Sequence, residues 1–213
     1  MKDNYFEQLK DQVDDIQKYS GSNGYDNFFK EEVIRFYSIA GTVLDSFSDV
    51  EKNINERMIT HILLRSLLEN FFWLLYIYDN DNDNDNDNDN DNDKANRFDE
   101  YLNSFKKEYA KLYNDSHLSI QNQIEKPDSN WTKLKNTKDL NSILTSMFND
   151  HGDRLNHFYP LYRISSFDTH GKSLNSLFNL SFNKGCSFPY IKIEPIIDLM
   201  ANQYLVTWLK VKP

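Results

Sequence analysis

The stretch Ile59-Thr60-His61-Ile62-Leu63-Leu64-Arg65-Ser66-Leu67-Leu68-Glu69-Asn70-Phe71-Phe72-Trp73-Leu74-Leu75-Tyr76-Ile77-Tyr78 decides the fold. It is long and apolar enough to resemble a bilayer span, which needs about 20 apolar residues. His61, Arg65, Glu69 and Asn70 lie inside it, however, and each charge near a bilayer centre costs about 3 kcal/mol. A helix that is greasy nearly all round and carries a few polar groups reads instead as the central, buried helix of a bundle. No membrane partner is expected.

On either side, apolar residues recur at helical spacing and no segment reads as a strand. Residues 4–18 place Phe6, Leu9, Val13 and Ile16 three and four apart. A second helix is expected over 26–47, with Asp26 as its N-cap and Phe28, Phe29, Val33, Ile34, Phe36, Tyr37 and Ile39 inward. The central helix covers 50–78, with Ile59 and Ile62 counted in its core. A fourth covers 95–113, with Phe98, Tyr101, Leu102, Phe105, Tyr109 and Leu112 on one stripe. Residues 114–138, rich in Asn, Ser and Lys, form a long connection. Helices at 140–148 and 155–170 follow, the second with Pro160 in its first turn or at a kink. Residues 172–190 read as irregular, and 194–209 as the last helix. The expected fold is all-α, a single up-and-down helical bundle forming one domain over residues 1–213.

Composition agrees with a folded chain: 15% of the 213 residues are aromatic and 39% hydrophobic. One segment distorts the totals. Residues 79–93 alternate Asp and Asn without exception, a pattern with dense charge and nothing to bury, expected to be a disordered loop inserted between two helices. Its eight Asp account for most of the net charge of −9; without them 25 acids face 24 bases. Acidity therefore excludes no class of partner, nucleic acid included. Asp89, Asp91, Asp93 and Glu100 match positions 1, 3, 5 and 12 of a calcium loop, but Lys94 stands where that loop needs glycine. His151 and His157 near Asp150 and Asp153 lack a clear metal-ligand spacing. No metal or cofactor is expected. Cys186 is the only cysteine, read as a small buried filler; it permits no intrachain disulfide, and a start of Met1-Lys2-Asp3-Asn4 is unlike a secretory signal. Both fit the cytoplasm.

Chemistry concentrates in Tyr162-Arg163-Ile164-Ser165-Ser166-Phe167-Asp168-Thr169-His170-Gly171. Seven residues make almost two helical turns, so Arg163 and His170 share one face about 10 Å apart along the axis. Guanidinium holds phosphate oxygens bidentately, and imidazole can take or give a proton near pH 7. Together they have the parts for metal-free phosphodiester cleavage. On the central helix, Arg65 and Glu69 stand four apart beside Asn70, either a simple ion pair at a core edge or a pair that orients another group in a cleft. His61, among apolar neighbours, reads as a histidine satisfied at the core edge. Lys133, Lys135 and Lys138 around Trp131 are explained as a solvated loop, although they have the chemistry to touch RNA.

Arg65-Ser66-Leu67-Leu68-Glu69-Asn70 in a long apolar helix, with the Tyr-Arg-…-Ser-…-His-Gly stretch in a later one, resembles the HEPN superfamily over roughly residues 26–201. The resemblance implies an all-helical, commonly homodimeric protein in which the Arg-x(4–6)-His motif forms a metal-independent ribonuclease site. Arg163 would then bind phosphate and stabilise the transition state. His170 would act as general acid or base on the ribose 2′-hydroxyl or the leaving oxygen. Glu69, Arg65, Ser166 and Asp168 would be supporting residues, Ser166 and Asp168 supplying polarity beside the pair. It also implies a toxin or anti-phage effector, with RNA as substrate and an antitoxin or operon partner. Ile164 stands where nucleases of the superfamily usually carry a polar residue, which motivates the alternative: a non-catalytic helical module for dimerisation or for binding a ligand or protein.

Overall fold

The computed structural model describes residues 4–46, 54–79, 87–147, 155, 157–170, 173–186 and 191–212. They contain eight α-helices: α1 (Tyr5–Lys18), α2 (Gly24–Ser46), α3 (Ile54–Ile77), α4 (Asp87–Tyr113), α5 (Leu140–Ser146), α6 (Phe158–Thr169), α7 (Leu174–Phe182) and α8 (Ile193–Val211). Single 3₁₀ turns lie at Gln121–Gln123 and Trp131–Lys133, and no strand occurs among the described residues. The fold is all-α, a helical bundle. The chain divides into two compact units, Met1–Leu74 with Asp150–Pro213, and Leu75–Asn149.

In the first unit the helix ends follow local chemistry. Asn4 caps α1, its side-chain oxygen accepting the Glu7 N–H at 3.2 Å. α2 starts at Gly24, two residues before the expected cap; Asp26 instead sits in the first turn, 8% exposed. It lies so close to Gly21 that a Cβ there would stand 2.0 Å from the Asp26 Cβ. Pro160 occupies the first turn of α6, where its missing N–H costs nothing. α7 falls within the segment read as irregular. Ser173 caps it, accepting the Ser176 N–H, and Asn183 ends it in the left-handed conformation at φ 52°. Cys186, just beyond, is half-buried rather than a core filler.

The core of this unit is aromatic. Phe29 and Phe36 of α2, Phe71 and Phe72 of α3, and Tyr204 of α8 are fully buried. Tyr204 sits 4.8 Å from Phe36 and 5.5 Å from Phe71, the latter edge to face. Phe71 and Phe72 turn their other sides to Phe158 and Tyr162 of α6, so α3 is central as its sequence implied. Each fully buried large side chain contributes about 1.5–3 kcal/mol. Met58–Ile77 is long and apolar enough to cross a membrane, and half of it is buried within the fold. Its first turns depart from the apolar pattern: Ile59 and Ile62 are 45% and 36% exposed, while Thr60 and His61 are buried. The reason is a polar partner on α6, described below, which draws His61 inward and rolls the isoleucines out.

In the second unit, α4 begins at Asp87, inside the Asp/Asn repeat, whereas the sequence pattern starts the helix at residue 95. Residues 80–86 lie outside the described residues. The calcium-loop spacing from residue 89 to 100 falls on this continuous helix, which cannot form the loop. Arg97, 8% exposed, donates to the carbonyls of Tyr76, at 3.1 Å, and Asp79, satisfying acceptors that the end of α3 leaves open. The Tyr76 hydroxyl donates to Glu100 at 3.0 Å and accepts from Lys138 at 2.6 Å. Arg97 and Lys138 each lie near 5 Å from the Tyr76 ring centroid, at 5.2 and 4.8 Å. The expected apolar stripe on α4 is only half covered: Phe105 is 61% exposed and Leu112 52%.

Candidate functional site

The candidate site is built where α3 and α6 meet. Polar residues on α3 at 61, 65 and 69 recur every four positions and so form one ridge. α6 answers with Tyr162, Ser166 and Asp168. His61 Nδ1 and Asp168 Oδ2 are 2.6 Å apart, with both side chains almost wholly buried. The other carboxylate oxygen, Oδ1, accepts the Leu174 N–H at 2.9 Å. Asp168 thus ties α6 to α3 and to the start of α7, and both its oxygens are committed.

One turn along, the Arg65 guanidinium donates through Nε to Ser166 Oγ at 3.1 Å and through Nη2 to the Tyr162 hydroxyl at 2.9 Å. It also lies 5.1 Å from the centroid of the Tyr162 ring and 3.8 Å from Glu69. The Ser166 hydroxyl in turn donates a hydrogen bond to the Tyr162 carbonyl at 2.7 Å. Burial, reinforced by the nearby Glu69 charge, pushes the Tyr162 phenol above its usual range, and the Arg65 guanidinium pulls it partway back. A second polar group borders α3 from α2. Glu32, buried, accepts from Arg35 Nε at 2.9 Å and from Asn70 at 3.0 Å, and Arg35 reaches Ser66 at 3.4 Å.

Arg163 and His170 stand elsewhere on α6. Both are exposed, and neither side chain has a hydrogen bond or ion pair among the described residues. His170 closes the helix, its backbone N–H donating to the Ser166 carbonyl at 3.3 Å. Phe167, between them in sequence, is 44% exposed. α6 is therefore two-sided: Phe158, Ser165 and Asp168 are buried, and Arg163, Phe167 and His170 face water. The structure brings Arg65, Glu69 and Ser166 together as neighbours, and it gives Asp168 to His61. Ser166 and Asp168, expected to lend polarity to Arg163 and His170, serve the α3–α6 junction instead.

His61, Tyr162, Glu32 and Arg35 belong to this polar girdle and were not singled out as site residues. The four-residue step from His61 through Arg65 to Glu69 was a signal for the first. No group of His, Cys, Asp or Glu able to hold a metal occurs among the described residues. His157 is exposed, and His151, Asp150 and Asp153 lie outside the described residues.

No curated protein and no solved structure matches the chain. A family model described as a family of unknown function, DUF5677, matches residues 50–185. That span holds both α3 and α6, with every residue of their junction from His61 to Leu174. The matched region is well over half of the 213 residues, and the chain belongs to this family of unknown function, DUF5677.

Proposed function

We propose that the protein is a metal-independent ribonuclease of the HEPN type, a toxin or anti-phage effector, in which Arg163 and His170 do the chemistry. The observation that carries the reading is that both side chains are exposed and uncommitted, on the outer side of a helix whose inner side is pinned by Asp168. Arg163 would hold the scissile phosphate. His170 would take the proton of the ribose 2′-hydroxyl, or return one to the leaving 5′-oxygen, as the 2′-oxygen attacks phosphorus. The product ends would be a 2′,3′-cyclic phosphate and a free 5′-hydroxyl. A second copy facing this one would supply a second Arg/His pair, and an antitoxin would be a protein that covers the α6 face.

The test is incubation of purified protein with total RNA in EDTA, comparing the parent with Arg163→Ala and His170→Ala and reading the product ends. Cleavage by the parent that is lost in both variants, with melting temperatures unchanged, is the expected result. Cleavage that survives His170→Ala, or none by the parent, overturns it.

One observation favours a second reading, a non-catalytic module for dimerisation or ligand binding. Asp168 and Ser166 spend their polarity on His61, Arg65 and the Tyr162 carbonyl, leaving the exposed Phe167, four residues from Arg163 and three from His170, as the large side chain beside the pair. Under that reading the α6 face is a contact surface, and substituting Phe167 lowers association rather than cleavage.

A further inference from the structure

The second unit carries one segment in which lysines outnumber carboxylates. Between residues 102 and 138 seven lysines face four carboxylates. Across the same segment runs a ladder of rings. Phe105 and Tyr109 of α4 lie 5.6 Å apart, and Tyr109 meets Trp131 of the 3₁₀ turn at 6.1 Å, edge to face. The middle ring is held in place, because the Tyr109 hydroxyl donates to the Glu125 carbonyl at 2.6 Å, and the backbone N–H of Trp131 donates to the Asp128 carbonyl at 3.0 Å within its 3₁₀ turn. The ladder's outer ring is open: Phe105 is 61% exposed, and Tyr109 and Trp131 are half-buried.

Three of the seven lysines are occupied. Lys107 binds Asn136, Lys111 pairs with Glu108, and Lys138 bonds the Tyr76 hydroxyl. Of the other four, Lys106 is half-buried, and Lys126, Lys133 and Lys135 are exposed, with no hydrogen bond or ion pair among the described residues. Lys133 and Lys135 lie two and four residues past Trp131, and Lys126 follows the residue whose carbonyl holds Tyr109. Free cations thus flank partly open rings. A purely solvated loop accounts for the lysines but not for a line of rings that runs from Trp131 through Tyr109 to a phenylalanine left mostly in water.

We infer that this surface binds single-stranded nucleic acid, bases stacking on Phe105 and Trp131 and backbone phosphates meeting Lys126, Lys133 and Lys135. Rings accept any base face, and lysines meet phosphate as point charges, so recognition is of single strands without strong sequence preference. A duplex, whose bases are already stacked, offers the rings nothing. Naming RNA as the strand rests on the ribonuclease reading; the surface itself involves neither Arg163 nor His170.

The experiment is fluorescence anisotropy of a labelled oligouridylate, single-stranded or annealed to oligoadenylate, titrated in EDTA with full-length His170→Ala, so that cleavage does not intervene. Phe105→Ala, on that background, is expected to weaken single-strand binding at least fivefold. Its ring is mostly in solvent, so folding should survive, as circular dichroism will check. Lys133→Gln with Lys135→Gln should reduce the slope of log affinity against log salt by about 1.4, two phosphates at about 0.7 each for a single strand. Duplex bound as tightly as single strand overturns the inference. So does unchanged binding by the Phe105 variant, or a Phe105 variant that alters only self-association by sedimentation. Absence of cleavage by the parent, with this binding pattern intact, counts against the ribonuclease reading alone.

Discussion

Replacing Asp168 by alanine should be the most damaging single change at the junction of α3 and α6. Its carboxylate accepts from His61 at 2.6 Å and from the Leu174 N–H at 2.9 Å, and it is 3% exposed. Truncation removes the acceptor that Asp168 gives His61 Nδ1 and the Leu174 amide in a dry interior. Each lost bond costs about 1–3 kcal/mol, about 4 kcal/mol for the two, a large fraction of the 5–15 kcal/mol typical of a domain. With an m-value of about 2 kcal/mol/M, the urea midpoint should fall by about 2 M. Asp168→Asn separates shape from charge. Its oxygen can still accept from Leu174, and its amide can donate to His61 in the other tautomer, so its midpoint should fall by only about 0.5–1 M. Urea titrations followed by far-ultraviolet circular dichroism measure both. A midpoint for Asp168→Ala within 0.5 M of the parent, at equal slope, would refute the claim that this carboxylate ties three helices together.

Tyr204→Phe should be neutral or stabilising by about 1 kcal/mol at pH 7, because the Tyr204 hydroxyl is buried with no partner among the described residues. Burial, with the Glu32 charge adding to it, holds that phenol well above its ordinary value. The folded state therefore keeps the proton while the unfolded chain releases it near pH 10. The stability this represents is present below pH 10 and lost as pH rises beyond it, so thermal melts between pH 9 and 11 should fall less steeply in Tyr204→Phe than in the parent. Gly21→Ala should cost about 1–3 kcal/mol through its clash with Asp26, whereas Gly185→Ala, with nothing within 4 Å, should leave the urea midpoint unchanged. Arg97→Ala should cost about 2–3 kcal/mol, and hydrogen exchange should localise the loss to α4 and the last turn of α3, sparing α8.

Helix identity was legible wherever apolar residues recurred at helical spacing, and α1, α3, α6 and α8 stand close to where that spacing puts them. What the pattern missed has physical causes. α7 is short and lies among Gly, Asn and Ser, yet Ser173 before Leu174, Leu177 and Phe178 was a readable cap. Ile59 and Ile62 were placed inward because hydropathy counts side chains one by one; a single buried carboxylate on another helix reversed the choice in favour of His61. Phe105 and Leu112 lie on a stripe that predicts burial, but a stripe says nothing of whether another element exists to cover it. At the candidate site the motif segments were visible, and Arg65, Glu69 and Ser166 do converge. Which side of α6 each residue of the motif takes was not, because Asp168 and His170 differ by only two positions and nothing local assigns one to the interior.

Arg97 has a further consequence for the Asp/Asn repeat. Asp79 is the first residue of that repeat, and Arg97 lies four beyond its last; the bond from the Arg97 guanidinium to the Asp79 carbonyl joins the two margins of the repeat directly. Glu100 and Lys138, both engaged by Tyr76, fix the register of everything downstream. An added or deleted Asp-Asn unit lies between margins that are already fastened, and each doubling of a loop costs only about 0.6 kcal/mol. Chains that differ by one Asp-Asn unit should therefore keep the same fold and the same melting temperature, whereas loss of Arg97 would unfasten both margins at once.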